Sequence, residues 1–552
     1  MQLSNKTLIG LLFIAAIILF VPFLGNVHLF DWDEINFAES SREMIATGDY
    51  TRVYIDFQPF WEKPPLFFWL QSLSMKIFGV NEFAARFPNA ICGIATLIVL
   101  FLCGKKLFGK KFGLLWALAY AGSLFPNMYF KSGIIDPWFN LFIFLSLYFF
   151  ILYHWKRNGF DQVNLNRSLT AYALLSGLFM GLAILTKGQV ALMIFFLVMG
   201  VYLVMNRFRF YFGGKHVLLF LLAMVLVTFI WYGYETIKNG PWFINEFLKY
   251  QYRLFTTHDA GQKGFFGYHF VVILIGCFPA SVFAIRSFFK TKTSTLFEQD
   301  FKKWMLILFW VVLILFSIVQ SRIIHYSSLA WFPITFLAAY TFYKWERNET
   351  AYKKWLLPLT AIIGGIIALL LIAAPIIGMN LDKIEPYVKD KFARANMEAS
   401  VNWTFLDGLP GVFFILMLIL GLIWLKKKEY AKTRIALFGG TAIAVFFAMA
   451  LIVPKVERYS QGAAVDFFEE RIGEDCYVHV LGYKSYAQLF YTRTTKHENN
   501  NAYDQEWLLH GPIDKPVYFV TKINKIQNYK DIAGLQELYR KNGFVFLKRE
   551  IP

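Results

Sequence analysis

The sequence predicts an all-α polytopic membrane protein with about thirteen transmembrane helices and a small α/β domain at its C-terminal end. Of its 552 residues, 57% are hydrophobic and only 17% are charged, compared with roughly 25% charged residues in soluble domains. The apolar residues form nearly unbroken runs of about 17–23 residues, the length of a helix that crosses a ~30 Å hydrocarbon core. These runs exclude a disordered chain and the alternating strands of a membrane β-barrel.

Thirteen candidate spans follow from these runs. The first lies after Lys6 and resembles a signal peptide, but no small-residue cleavage site follows it, so we interpret it as an uncleaved helix. Only a tight turn at Thr186-Lys187-Gly188 separates the fifth span from the sixth. The approximate ranges are 8–26, 88–104, 112–130, 137–153, 170–186, 189–205, 217–237, 267–286, 304–320, 327–343, 355–377, 410–425 and 435–453.

The distribution of lysine and arginine predicts the orientation of the chain. Short basic loops, such as the one with Lys105, Lys106, Lys110 and Lys111, alternate with longer loops in which basic and acidic residues are mixed. The positive-inside rule places the basic loops and the N-terminus in the cytoplasm, and thirteen crossings then place the C-terminal tail outside. The net charge of +18 is spread over many small loops, so nucleic-acid binding is not expected.

The polar segments predict two domains, a membrane domain at 1–454 and an external α/β domain at 455–552. Three predicted external segments are too long to be simple connectors: 26–87, 239–264 and 380–409. The tail contains strand-like stretches at 476–482, 516–522 and 544–549, and helix-like stretches near 460–471 and 531–541.

The first external segment begins with several carboxylates. Asp31 and Glu34 have the spacing of a helix capping box, and the residues that follow predict a short amphipathic helix in the membrane interface. Glu39 and Glu43 lie on its polar face. One interpretation is a solvated loop with a helix cap, and the other is a carboxylate site at the membrane surface.

A lysine at the start of a helix follows in the same segment. Pro64 and Pro65 predict a helix start, and Glu62 and Lys63 precede it among aromatic residues. A lysine beside free backbone N–H groups suits a phosphate, although a lysine that snorkels to the interface is the alternative.

Further candidate polar residues lie at the ends of later spans. Asp136 precedes Pro137 and is either a helix cap or a second carboxylate. Arg253 and His258 lie in the second long segment, and Arg322 and His325 are three residues apart between the ninth and tenth spans. Lys187 is consistent with a simple turn. Because the polar groups gather at the external ends and hardly at all in mid-helix, the pattern favours an enzyme at the outer interface over a transporter.

The first-segment motifs resemble a known family. The segments Asp33–Glu39, Arg42–Met44 and Glu62–Pro65 resemble the bacterial 4-amino-4-deoxy-L-arabinose transferases and related members of the protein O-mannosyltransferase superfamily. The later segments Leu185–Gly188 and His325-Tyr326 fit as well, as do Asp136-Pro137 and the loop with Arg253 and His258. Asn36 departs from the family pattern, in which an arginine often stands two positions after the Asp-Glu pair.

The resemblance implies a GT-C fold and a polyprenyl-phosphate sugar donor, such as an undecaprenyl phosphate sugar. It implies inverting transfer to a lipid, glycan or protein acceptor on the outer face of the inner membrane. A lipid A-type acceptor with an aminoarabinose-like sugar is the leading specific hypothesis. A protein O-glycosyltransferase, a lipid or solute transporter and a membrane scaffold are the alternatives. The expected partners are the donor, the acceptor and membrane lipids, and the protein is expected to be a monomer.

The expected roles of the site residues follow from this chemistry. Asp33 is the first candidate to face the acceptor, as a base for a hydroxyl or as an orienting group for a phosphate. Asp136 and Glu34 are the other candidate catalytic carboxylates. The candidates for binding the donor phosphate are Lys63, Arg253, Arg322 and Tyr326. No cofactor is certain, and a divalent cation held by Glu62 and His258 is left open.

Overall fold

The protein is a helical bundle followed by a small mixed domain. The computed structural model describes residues 4–31, 33–160, 163–209, 212–256, 265, 267–289, 295–320 and 322–551. The helices before the tail are Asn5–Phe20, Asp33–Thr47, Leu66–Phe78, Glu82–Phe108, Lys110–Ala121, Leu124–Met128, Asp136–Arg157, Leu169–Lys187, Val190–Met205, Gly214–Phe229, Tyr232–Asn239, Trp242–Thr256, Tyr268–Gly276, Ala280–Phe288, Leu296–Ile318, Trp331–Glu346, Leu356–Gly378, Leu381–Ile384, Lys391–Asn396, Leu409–Lys426, Tyr430–Arg434, Gly440–Leu451 and Val453–Arg458.

Every predicted span overlaps one of these helices, so the prediction of a polytopic helical membrane protein is confirmed. In the described part of the chain, seven helices are long and apolar enough to cross a membrane, and nine are if two bent pairs are each one span. The bends are 50° between Gly214–Phe229 and Tyr232–Asn239, and 114° between Tyr268–Gly276 and Ala280–Phe288. The spans predicted at 8–26, 112–130, 189–205 and 327–343 lie on helices shorter than a full crossing. That these four segments cross the membrane, and hence the total of thirteen spans, stays a prediction.

Small residues allow the helices of the bundle to approach closely. A Cβ atom added to Gly104 would lie 2.8 Å from Gly113 Cα, and one added to Gly177 would lie 2.2 Å from the carbonyl oxygen of Phe220. Such contacts are typical of membrane helices, whose association depends on close van der Waals packing. Between them lies a core rich in aromatic rings, with Trp116 and Phe336 5.2 Å apart.

Two helices connect the first span to the next and carry the motifs of the first segment. The first connecting helix is Asp33–Thr47, and every residue from Glu34 to Met44 is buried. The interpretation of this segment as a solvated loop is therefore wrong, because other parts of the protein cover both faces of the helix. Glu39 accepts two hydrogen bonds from Arg42, and burial, then the charge of Glu39, raise the pKa of Glu43.

The second connecting helix is Leu66–Phe78, and it begins directly after the two prolines as predicted. A short hairpin of Tyr54–Ile55 and Gln58–Pro59 precedes it. Gln71 of this helix donates to the carbonyl of Ala85 and accepts from Ser41 of the first connecting helix. These bonds hold both connecting helices against the bundle.

The tail folds into a small α/β domain, as predicted. Its four-stranded sheet contains Tyr477–Leu481, Val517–Lys522, Phe544–Arg549 and Leu535–Lys541, in that spatial order, and its helices are Gly462–Glu469, Ala487–Tyr491 and Gln505–His510. The first two strands pair in parallel and the other pairs are antiparallel. The helix predicted near 531–541 is wrong, because Leu535–Lys541 is the edge strand of a hairpin that turns at Asn542-Gly543. The domain boundary at 454 stays a prediction, since the helix Val453–Arg458 runs across it.

The tail domain packs on the first connecting helix. Leu29 N donates to Tyr491 Oη at 2.7 Å, and Arg42 donates to the carbonyl of Thr494 at 2.7 Å. The Asp31 carboxylate accepts a hydrogen bond from Ser485 of the tail. The predicted capping box of Asp31 and Glu34 is therefore wrong, because Asp31 binds the tail domain instead of the helix.

Candidate active site

One cavity of about 750 Å³ brings together most of the polar residues that the sequence singles out. Its walls are largely apolar, and acidic and basic side chains from distant parts of the chain face it. The charged and phenolic lining residues are Asp31, Asp33, Glu34, Glu62, Lys63, Arg86, Tyr129, Lys131, Asp136, Lys187, Tyr250, Arg253, Tyr326 and Lys484, and His325 lines it as well.

Asp33 faces this cavity from the N-terminal end of the first connecting helix. Its side chain is 36% exposed, and its Oδ2 lies 3.2 Å from His325 Nε2. Burial raises the pKa of Asp33, but the hydrogen bond from His325 and the charges of His325, Lys63 and Lys187 outweigh it, so that the pKa is about 2. Asp33 is thus a carboxylate at neutral pH.

Asp136 lies in the same cluster at the start of the helix Asp136–Arg157, where Pro137 occupies the first turn. Its Oδ1 accepts a hydrogen bond from Lys187 Nζ at 2.6 Å, and its Oδ2 lies 3.9 Å from His325 Nε2. His325 therefore lies between the two carboxylates, and the interpretation of Lys187 as part of a simple turn is wrong. The sequence signals for Lys187 are its charge in the tight hairpin between two apolar spans and the fit of Leu185–Gly188 to the family pattern.

Lys63 is a buried cation in the cavity lining, 8% exposed. Its Nζ donates to Tyr250 Oη at 3.3 Å and lies 3.9 Å from the carboxylate of Glu62. Arg253, one helical turn after Tyr250, also lines the cavity, and its guanidinium lies 5.5 Å from the Tyr250 ring. The two predicted phosphate-binding cations thus share one tyrosine.

The remaining predicted residues divide into three groups. Tyr326 lines the cavity with its ring 5.2 Å from Lys187 Nζ. Arg322 is half-buried and is not among the described residues that line the cavity. Glu62 lines the cavity, whereas its predicted metal partner His258 lies outside the described residues. Elsewhere in the described chain, only His28, Glu82 and Glu469 place three metal-ligating atoms within 4.8 Å of one another.

Glu34 forms a buried ion pair with Arg86. Arg86 Nε donates to Glu34 Oε1 at 2.8 Å and Nη2 to Oε2 at 2.9 Å, and Glu34 also accepts from the backbone N–H of Gly133 at 2.6 Å. Burial raises the pKa of Glu34, and the charge and hydrogen bonds of Arg86 lower it more. The predicted catalytic role of Glu34 is not tested, and this geometry favours a structural one.

We expect Glu34→Ala to lower the stability of the protein by about 3–5 kcal/mol, because it leaves Arg86 buried without its counterion. Thermal unfolding of the purified protein in detergent measures the loss. Glu398→Ala, at an exposed position, is the control. Equal unfolding temperatures for both variants would contradict a structural role of the ion pair.

Three comparisons with known proteins agree with this architecture. The model of the family "Dolichyl-phosphate-mannose-protein mannosyltransferase" matches residues 62–232. The chain has the fold of the crystal structure of ArnT from Cupriavidus metallidurans bound to undecaprenyl phosphate, with a TM-score of 0.76, 18% sequence identity, and 99% of this chain and 98% of that chain covered. The GT-C fold that the resemblance implies is thereby confirmed.

The chain is also similar in sequence to several curated relatives. The undecaprenyl phosphate-α-4-amino-4-deoxy-L-arabinose arabinosyl transferase of Edwardsiella ictaluri is 27% identical over 367 residues, which are 64% of this chain and 63% of that protein. An uncharacterized protein of Aquifex aeolicus is 28% identical over 323 residues, 57% of this chain and 69% of that protein. The resemblance to the aminoarabinose transferases is confirmed, although the alignment spans less than two thirds of the arabinosyl transferase.

Proposed function

We propose that the protein is an integral membrane glycosyltransferase that moves a sugar from a polyprenyl-phosphate donor to an acceptor. The observation that carries this proposal is the cluster of Asp33, His325, Asp136 and Lys187 in one cavity with the buried cation Lys63. A displacement at a sugar phosphate needs a group that faces the acceptor and a cation that stabilises the leaving phosphate. The carboxylate cluster and Lys63 supply these two parts. The apolar walls of the cavity suit a prenyl chain.

The reaction breaks the bond between the anomeric carbon and the donor phosphate oxygen. The acceptor oxygen attacks the anomeric carbon from the opposite face, which inverts its configuration, and the polyprenyl phosphate leaves with the electron pair. Negative charge grows on the leaving phosphate, and Lys63 with Arg253 is the proposed pair that stabilises it. Tyr250, which contacts both cations, orients them.

Asp33 is the proposed group that faces the acceptor nucleophile. A base is most effective when its pKa lies near the working pH, and the pKa of Asp33 is about 2. Asp33 therefore acts better by orienting an acceptor that is already ionised, such as a phosphate, than by removing a proton from a hydroxyl. Asp136, held by Lys187 at 2.6 Å, is the proposed second carboxylate of the cluster.

An aminoarabinose-like sugar and a lipid A-type acceptor are the specific proposal, which the arabinosyl transferase relatives support. A protein O-glycosyltransferase is the second candidate, which the name of the matching family model favours. The test uses purified protein in liposomes with a labelled polyprenyl-phosphate aminoarabinose. Label in a lipid supports the first candidate, label in protein supports the second, and no transfer to either contradicts both.

We also propose that the protein acts as a monomer in the inner membrane, with its N-terminus in the cytoplasm and the cavity and tail domain on the periplasmic side. Reporter fusions after Lys111 and after Lys428 should be active in the cytoplasm, and a fusion beyond Pro454 should be active outside, because the short basic loops stay inside. Activity of a tail fusion in the cytoplasm would contradict this orientation.

A further inference from the structure

Lys131 is a buried cation of the same cavity that the proposed reaction does not use. It lies in the short turn Tyr129–Lys131, is 3% exposed and lines the cavity. Its Nζ donates one hydrogen bond, to the carbonyl oxygen of Pro22 at 2.8 Å. Among the described residues, no carboxylate lies within ion-pair distance of it, whereas Lys187 and Arg86 in the same cavity each have a carboxylate partner.

A buried ammonium group without a counterion is costly. It has three N–H donors, and the described structure supplies an acceptor for one of them. Taking such a charge out of water costs several kcal/mol unless a partner charge compensates it. A cation held at a cavity wall with spare donors is therefore suited to an anion that enters the cavity.

Apolar side chains surround Lys131 in the cavity. Its Nζ lies 5.8 Å from the Phe23 ring and 5.6 Å from the Phe446 ring. Val27, Met128, Met449 and Val453 line the same cavity. A second groove, along the end of the first helix from Ile17 to Asn26, shares Phe23 with the cavity. Ile18 in that groove is 59% exposed, as is expected of a helix surface that faces lipid chains.

Lys131 and Lys63 have separate surroundings. Lys63 contacts Tyr250 and Glu62, whereas Lys131 contacts Pro22, Phe23 and Phe446. No residue belongs to both sets. The cavity therefore offers two anion-binding positions, of which the donor phosphate needs one.

We propose that Lys131 and the apolar wall beside it form the acceptor subsite, and that this subsite binds the phosphate-bearing headgroup of a lipid. This inference rests on the proposed function, because it assigns the donor phosphate to Lys63. It narrows the acceptor to an anionic lipid, since a neutral glycan or an uncharged peptide would leave the Lys131 charge uncompensated.

The experiment compares the wild type with Lys131→Met, which keeps an apolar stem of similar length and removes the charge. The acceptors are a phosphorylated glycolipid and the same glycolipid after phosphatase treatment, each tested with a fixed polyprenyl-phosphate sugar. We expect the KM for the phosphorylated lipid to rise about tenfold or more, as for the loss of a charge-assisted hydrogen bond. The Kd of undecaprenyl phosphate should stay unchanged, and Lys131→Arg should restore most of the KM.

The controls separate this inference from the proposed function. Lys76→Met, at an exposed lysine of the second connecting helix, should behave as the wild type. A wild type that transfers no sugar to any acceptor contradicts the proposed function, whereas transfer to protein but not to the phosphorylated lipid contradicts only the acceptor subsite. An unchanged KM in Lys131→Met, or a Kd for undecaprenyl phosphate that rises with the KM, also overturns it. Competition by inorganic phosphate as strong as by the phosphorylated lipid would overturn the lipid as occupant.

Discussion

Replacing Asp33 by asparagine should abolish sugar transfer and leave the protein folded and inserted in the membrane. The substitution keeps the size of the side chain but removes the negative charge 3.2 Å from His325 Nε2. Because the side chain is 36% exposed to the cavity, the cost in stability should be small. Loss of a carboxylate that orients the nucleophile should lower kcat by about 10²-fold or more, as for a reacting group that is misplaced. Transfer from a labelled polyprenyl-phosphate sugar, at equal amounts of protein, measures the effect.

A control variant and a comparison variant are needed to interpret the result for Asp33. Glu470→Gln removes a carboxylate that is 65% exposed in the tail domain and should leave transfer unchanged. Asp136→Asn removes the other carboxylate near His325 and also the partner of Lys187, so it should lower both transfer and thermal stability. Near-normal transfer by Asp33→Asn would contradict its role and make Asp136 the essential carboxylate.

The sequence predicts the residues of the site better than their contacts. Asp33 and Lys63 lie in motifs whose local chemistry is unusual, so each could be singled out alone. Lys187 and His325 are less distinctive in the sequence, because their significance depends on their contacts with Asp136 and Asp33. These partners are separated by more than fifty residues along the chain, and only the packing of the helix ends brings them together.

The first connecting helix shows why burial is harder to predict than helix formation. Its apolar and polar residues have the spacing of an amphipathic helix, and the helix forms as predicted. Whether the polar face meets water depends on the tail domain, which follows more than four hundred residues later. The contact of Arg42 with Thr494 is part of that cover.

The helix predicted in the tail is wrong for a different reason. The residues of 535–541 have good helix propensity, and the pattern of Leu535 and Leu538 favours a helix. Asn542 and Gly543 both have positive φ angles, +49° and +79°, and an Asn-Gly pair is a strong signal for a two-residue hairpin turn. This signal, and the pairing with Phe544–Arg549, outweigh local propensity.

Replacing Lys63 by alanine should weaken donor binding and lower turnover. Lys63 is buried in the cavity with Tyr250 and Glu62 as its neighbours, and its charge stabilises the donor phosphate more as that phosphate leaves. Lys63→Arg should recover only part of the activity, because a planar guanidinium does not reproduce the compact ammonium group. A lysine that only snorkels to the interface would tolerate arginine fully.

The measurement for Lys63 separates binding from chemistry. The Kd of undecaprenyl phosphate and the kcat of transfer are determined in detergent or liposomes, with Lys76→Ala as the control at an exposed lysine. Both a higher Kd and a lower kcat are expected for Lys63→Ala. If this variant matches the wild type at limiting donor, Lys63 does not bind the donor phosphate. Arg253, which lines the cavity beside Tyr250, is then the first cation to test, because it contacts the same phenol from the neighbouring turn of its helix.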